Sequence, residues 1–260
     1  MFSRRVVDRL RTQDWVAVLL ELIIVVIGIF IAIQVDRWWA DRDRELREHQ
    51  YVVRLKEDIV RDSVSLTHSI QLAEQRQQFA DLLIQAAEDP EVVEERPVEF
   101  MIAVHQSAYT ATPALNSDTM EELRSTGNLG LLTNESLKSA LFDYYRYDEA
   151  SRQYLSLQLM TEFKHFELAA GILTNRQITW LWDNVGIVDS SDMEAANHQK
   201  VELQMVRSAA KRLREKPDFV AWLPEARGMQ TELIFTHGHR LAKAEALLAI
   251  LRGIISEYPD

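Results

Sequence analysis

The side chains best suited to chemistry in this chain are few and scattered. Glu162-Phe-Lys-His165 has the i, i+3 spacing of carboxylate-bridged di-iron bundles, in which a carboxylate and an imidazole from one helix meet the same ion. Such a centre needs two of these motifs and two further glutamates, and the chain offers one motif. The pair is therefore expected to be polar residues beside a core of Phe163 and Phe166. His237-Gly-His239 brings two imidazoles, but residues two apart point to different faces of a helix. His237 extends the run of Leu241 and Ala244 and is expected at the core edge, hydrogen-bonded. Gly127-Asn128 lacks the Gly-Lys-Ser/Thr of a phosphate loop and reads as a turn. Tyr144, Tyr145, Tyr147 and Tyr154 could line a pocket, although aromatic residues spaced along a helix more often fill its core. No strand–elbow–helix context supports a Ser/His/Asp triad. The chain is expected to carry no catalytic site, no cofactor and no metal.

Glu21 is the most informative ionisable residue because of what surrounds it. Trp15 to Val35 reads WVAVLLELIIVVIGIFIAIQV, apolar except for Glu21 and Gln34. At about 1.5 Å per helical residue the segment measures about 30 Å, the hydrocarbon thickness of a bilayer. The run is too long for a signal peptide's apolar region, and the VDRWWADRDRE that follows offers no cleavage site. One membrane span is expected, with Trp15 at one interface and Trp38 and Trp39 at the other as amphipathic anchors. A carboxylate inside lipid is costly and faces protein or water. Ala17, Glu21, Gly28 and Ala32 recur at intervals of 4, 7 and 4, so the small residues and the carboxylate share one face suited to self-association.

The remainder has the composition of a water-exposed domain. Residues 1–35 carry a net charge of +1, so the formal −11 of the 260-residue chain leaves −12 for residues 36–260. That acidity argues against nucleic acid as a partner. The bilayer, a second copy or another membrane protein is expected instead. With no cysteine, disulfides and thiolate metal sites are excluded. Four arginines precede the span and four follow it within a similar distance, so the positive-inside count is tied. A short arginine-rich tail is the harder end to export against the membrane potential. The expected placement is a bacterial inner membrane, with residues 1–14 cytoplasmic, a span over 15–35 and residues 36–260 in the periplasm.

An all-α architecture must position these residues. Neither Gly nor Pro occurs between Gly28 and Pro90, so the span is expected to continue into a stalk helix over about 36–88, ahead of an antiparallel bundle over about 97–260. In the stalk, Val52, Leu55, Ile59, Leu66, Ile70 and Ala73 fall on one face and the polar remainder is expected in water. A short helix follows over Val98–Ser107. Asp118 with Glu121 is a plausible capping pair for the next, which exits at Gly127-Asn128. Asn134 caps a long helix whose face runs through Leu137, Leu141, Tyr144, Leu155, Leu159, Phe163, Phe166 and Ala170, closed by Gly171 and Asn175. Ile178–Val188 shows no period and is expected to be irregular. Ser191 with Glu194 opens a helix ending in Lys211, Arg212 and Arg214, as the helix dipole prefers. The last helix is expected from about Gln230, with Leu241, Ala244, Leu248, Leu251, Ile255 and Tyr258 as a bundle face.

Three segments together resemble a bacterial family of single-pass membrane proteins classified as a domain of unknown function. They are ELIIVVIGIFIAIQVDRWW (Glu21–Trp39), YVVRLKEDIVRD (Tyr51–Asp62) and ELRSTGNLGLLTNESLKSALFDYY (Glu122–Tyr145). The resemblance implies a short N-terminal tail, one span and a helical extracytoplasmic domain, and it implies no reaction. Trp38-Trp39 departs from the asparagine-rich flank more usual there. The expected role is a self-associating, membrane-anchored interaction or scaffold protein. A ligand-binding sensor bundle that signals through a partner's membrane helix is the alternative, since a 14-residue tail holds no folded output domain.

Overall fold

A computed structural model describes residues 15–110, 112–188 and 192–257. Every regular element among them is helical. Helix α1 spans Trp15–Glu88, 74 residues without interruption, as expected of a segment free of Gly and Pro beyond Gly28. It is followed by α2 (Val92–Glu95), α3 (Pro97–Gln106), α4 (Asp118–Ser125), a 3-10 turn (Asn128–Leu131), α5 (Glu135–Ala169), α6 (Asn175–Asn184), α7 (Met193–Asn197), α8 (Leu203–Arg214) and α9 (Pro217–Glu257). From Leu19 to Arg47 the side chains of α1 are exposed, and the bundle begins at the buried Glu48. Among the described residues one helix, α1, is long and apolar enough to cross a membrane, and its apolar window is entirely uncovered.

The bundle is built on α1 and α9, which run antiparallel in close contact. Gln77 donates to Thr231 at 2.7 Å and Arg227 donates to Asp81 at 2.6 Å. Two apolar cores result. The first, nearer the exposed end of α1, gathers Val52, Leu55, Ile59, Met120, Leu123, Leu137, Leu141, Tyr144, Leu248 and Leu251. The second, at the far end, gathers Phe79, Leu83, Phe100, Ile102, Leu213, Phe219 and Leu223. Each fully buried large apolar side chain contributes about 1.5–3 kcal/mol, so these cores supply the main drive for folding.

Several local expectations are corrected. Residues 175–184 form α6 rather than irregular chain, because Thr174 and Gln177 make a reciprocal capping box at its start. Gly171, at φ +83, ends the preceding helix instead of sharing that role with Asn175. The final helix begins at Pro217, not near Gln230. Proline suits a first helical turn, where its missing N–H would be unpaired anyway, and Pro224 removes only one further bond near that end. In α5, Leu137, Leu141 and Tyr144 are buried while Leu159, Phe163 and Phe166 lie exposed, Phe163 at 70%. His165 is the residue that this turn of α5 turns inward. The helix starts differ as well. Ser117, one residue before Asp118, holds the N-cap position of α4 and its hydroxyl donates to Glu121 at 2.7 Å. The helix expected from Ser191 is divided into α7 and α8, and Ser191 lies outside the described residues, as does Tyr258.

Other local expectations are met. Asn134 caps α5 by accepting the Leu137 N–H at 2.9 Å, and α8 ends with Lys211, Arg212 and Arg214 in its last turn. Gly127 has φ +73 with open space around its Cα, so any cost of a side chain there is torsional, about 1–2 kcal/mol and more for a β-branched residue. Gly127→Val is expected to lower the melting temperature of the detergent-solubilised chain by several degrees, and Gly127→Asn by less, since Asn tolerates this conformation. Equal melting temperatures for Gly127→Val and the parent would show that the turn does not need its left-handed residue.

Candidate functional site

The seam that α1 presents to the bundle runs Glu48, Val52, Leu55, Ile59, Asp62, Leu66, Ser69, Ala73, and all eight are buried. Its spacing alternates four and three, the repeat of a helix packed along a partner. Three of the eight are polar, which corrects the expectation that polar residues of the stalk face water. Ile70 is only half-buried, and Ser69 takes its place in the seam.

Asp62 is the centre. Its side chain lies between the two apolar cores, fully buried. One carboxylate oxygen accepts the Asn116 backbone N–H at 2.7 Å and the Asn116 amide at 3.1 Å. The other accepts the Tyr144 hydroxyl at 2.7 Å. The neighbouring Tyr145 hydroxyl donates to the Asn116 carbonyl at 3.3 Å. Arg240 of α9, also buried, lies with its guanidinium 5.2 Å from the centre of the Tyr144 ring. α1, the loop before α4, α5 and α9 therefore meet at one carboxylate. Burial raises the Asp62 pKa above its ordinary value, against the opposing hydrogen bonds of Asn116 and Tyr144 and the charge of Arg240. Burial, followed by the adjacent Asp62 charge, likewise raises the Tyr144 phenol and keeps it a hydrogen-bond donor.

Further polar contacts fasten the same stretch of α1. Glu48 accepts from the Thr133 backbone at 2.6 Å and from the Thr133 hydroxyl at 2.8 Å. Tyr51 donates to Glu122 at 3.0 Å and accepts from Asn128 at 3.1 Å. Arg54 pairs with Glu122 through both of its terminal nitrogens. The segments 51–62 and 122–145, far apart in sequence, are thereby joined residue to residue around the Thr126-Gly127-Asn128-Leu129 turn.

Above this belt, His165 is buried. Its Nε2 donates to the Val104 carbonyl at 3.1 Å, and burial pushes its pKa down to about 4, so the ring is neutral near pH 7. Glu162 instead accepts from Thr110 at 3.2 Å on the partly exposed side of the helix, so the two residues of the motif do not converge. His237 is buried and His239 exposed, on the separate faces expected. Tyr144 and Tyr145 pack edge to face in the core, ring centres 5.2 Å apart. The side chains of Tyr147 and Tyr154 lie outside the described residues. On α1, Glu21, Gly28 and Ala32 are exposed, as are Trp38 and Trp39, whose rings meet edge to face at 5.1 Å. Ala17 and Trp15 belong to the same helix, and their side chains are outside the described set. A groove of about 520 Å³ on the far half is lined by Gln71, Glu74, Gln75, Phe79, Glu99 and Asn197, among others. Sequence inspection missed Asp62, and the signal was a gap: the apolar seam skips from Ile59 to Leu66, and position 62 is where its repeat should fall.

A family model described as a family of unknown function, DUF6090, matches residues 21–167, which include Asp62, Asn116, Tyr144 and all three segments on which the resemblance rested. No curated protein and no solved structure matches the chain.

Two expectations follow for the detergent-solubilised chain. Asp62→Leu strands the Asn116 donors and the Tyr144 hydroxyl in the interior and should cost about 3–5 kcal/mol, whereas Asp62→Asn keeps an acceptor and should cost much less. Because the folded chain holds the Asp62 proton to a higher pH than the unfolded chain, the associated stability is complete below the ordinary carboxylate pKa and is lost as pH rises through the folded value. Asp62→Asn should remove that decline in melts recorded across the acidic range. His165 acts in the opposite sense. Its folded pKa is depressed, so the stability from its neutral form is present above about pH 6.5 and is lost as pH falls toward about 4. His165→Gln should flatten the melting temperature over that interval, and a profile parallel to the parent's would refute the assignment.

Proposed function

The chain belongs to the DUF6090 family of unknown function, and we propose that it is a membrane-anchored helical interaction or scaffold protein, self-associating and with no catalysis of its own. The observation that carries this is the uncovered apolar surface of α1, from Leu19 to Val35, running without a break into the helix that the bundle is built on. Such a surface requires lipid or protein around it. Trp38 and Trp39 then sit at one interface. The arginines of residues 1–14 favour a cytoplasmic N-terminus at a bacterial inner membrane, with the acidic bundle in the periplasm.

A scaffold is favoured over a ligand-binding sensor by where the aromatic residues lie. Tyr144 and Tyr145 fill the core, and the groove on the far half is lined mainly by amides and carboxylates. Ligand pockets are predominantly apolar and aromatic. Self-association starts from Ala17, Glu21, Gly28 and Ala32, where small residues allow close backbone approach and Glu21 supplies a polar contact.

Alkaline phosphatase fused after residue 260 should be active, and a reporter that works only in the cytoplasm should be silent. The reverse pattern would overturn the orientation. In a membrane-helix association assay, Glu21→Leu should weaken association modestly, since such hydrogen bonds are worth about 0.6–2 kcal/mol. Gly28→Ile should weaken it more, and Ile27→Leu should not change it. Full association of Gly28→Ile would remove this face from the interface.

A further inference from the structure

Apolar residues also recur on the side of α1 that the bundle leaves bare. Trp39, Leu46, Val53 and Val60 follow one another at intervals of seven, and Val64 comes four later. Leu46 is 51% exposed and Val64 67%, Trp39 and Val60 are also exposed, and Val53 is half-buried. Each of Leu46, Val53 and Val60 lies two residues before a member of the buried seam (Glu48, Leu55 and Asp62), a rotation of about 200° around the helix, so the two stripes are on opposite sides. Counted backwards by seven and then four, the bare stripe passes through Ala32 and Gly28.

We propose that this outward stripe of α1 is a parallel dimer interface, and that its occupant is the same stripe of a second copy. Resting on the membrane anchoring proposed above, the inference extends self-association out of the bilayer and along the stalk. A heptad repeat is the spacing by which two parallel helices stay in contact over length, winding left-handed about each other. Anchoring supplies the register. Two copies inserted in one direction hold equivalent residues at equal heights, so that Leu46 meets Leu46 and Val60 meets Val60.

The charges around the stripe agree with a second copy as the occupant. Residues 36–47 hold four arginines and four carboxylates, net zero, so the whole −12 of the domain lies beyond them. Within one helix Arg42 pairs with Glu45 and Arg47 with Asp43. A neck of balanced charge can approach its own copy without the repulsion that the acidic bundle would meet. Glu57 is the exception, exposed between Val53 and Val60 on the same side, where two copies would set like charges facing each other.

The chain contains no cysteine, so single-cysteine variants of the 260-residue chain report the contact directly in native membranes. Leu46→Cys and Val64→Cys are expected to form disulfide-linked dimers on mild oxidation. Arg37→Cys and Arg44→Cys, on the far side of the neck, are expected to form few. Efficient linkage at all four positions, or at the arginine positions alone, would overturn the proposal. In a quantitative dimerisation assay in detergent, Leu46→Asp should weaken association about tenfold or more. Glu57→Leu should strengthen it about two- to fivefold, a gain that a merely structural role for this exposed residue would not produce. A chain that dimerises through Gly28 in the membrane-helix assay, yet does not link at 46 or 64, would refute the stalk interface and leave the scaffold proposal standing. Absence of dimers by every measure would refute both.

Discussion

A buried carboxylate in an otherwise apolar seam is the constraint around which this bundle is arranged. Asp62 cannot be moved one turn along α1 without stranding the Asn116 amide and the Tyr144 hydroxyl in the interior, so it locks the register of α1 against the loop before α4 and against α5. Replacing the whole polar cluster by apolar residues, rather than Asp62 alone, would give more apolar burial and would leave the register to shape alone. Polar seam residues in paired helices trade stability for a unique alignment in this way. The two apolar cores on either side then pack against helices whose relative heights are already set.

The hydrogen bonds of Glu48, Tyr51 and Arg54 carry the same logic towards the exposed end of α1. They fasten the last covered turns to the Gly127 turn and to the start of α5, so the helix leaves the bundle at a defined point. Glu122 illustrates the electrostatics: paired first with Arg54 and then with Tyr51, its carboxyl is held below its ordinary value, although it stands in water. Such exposed pairs add little stability each. Their contribution is to orientation.

Much of this was legible in the residues, and the misses have particular causes. The unbroken α1 could be read because nothing between Gly28 and Pro90 interrupts a helix. The apolar half of its seam, the Asn134 cap and the Gly127 turn were legible for similarly local reasons. Asp62 was hidden because periodicity counts apolar residues, and a charged residue at a seam position registers only as a gap. α6 was hidden because tryptophans at positions 180 and 182 blur the apolar period, while the Thr174–Gln177 box that starts it lies outside the apolar run. The second half of α5 misled in the other direction: Leu159, Phe163 and Phe166 have a core-like spacing, yet the turn that faces inward there carries His165, whose neutral ring donates to the Val104 carbonyl. Spacing shows that a face exists, and only the packing of α3 and α9 shows which face is used.

The continuity of α1 also makes it a lever. Beyond Val35 the helix extends about 80 Å to Glu88, stiffened over most of that length by α9. With the membrane anchoring proposed above, the tilt of about 20° common among membrane helices would swing the far end of an arm of this length sideways by roughly 27 Å, more than two helix diameters. The exposed Phe163 and Phe166 ride near that end, because their neighbour His165 packs against Val104 and Phe219 of the far core. Small angular changes at an anchored base would thus become large lateral displacements at the tip, with the reach of one molecule set by the length of a single helix.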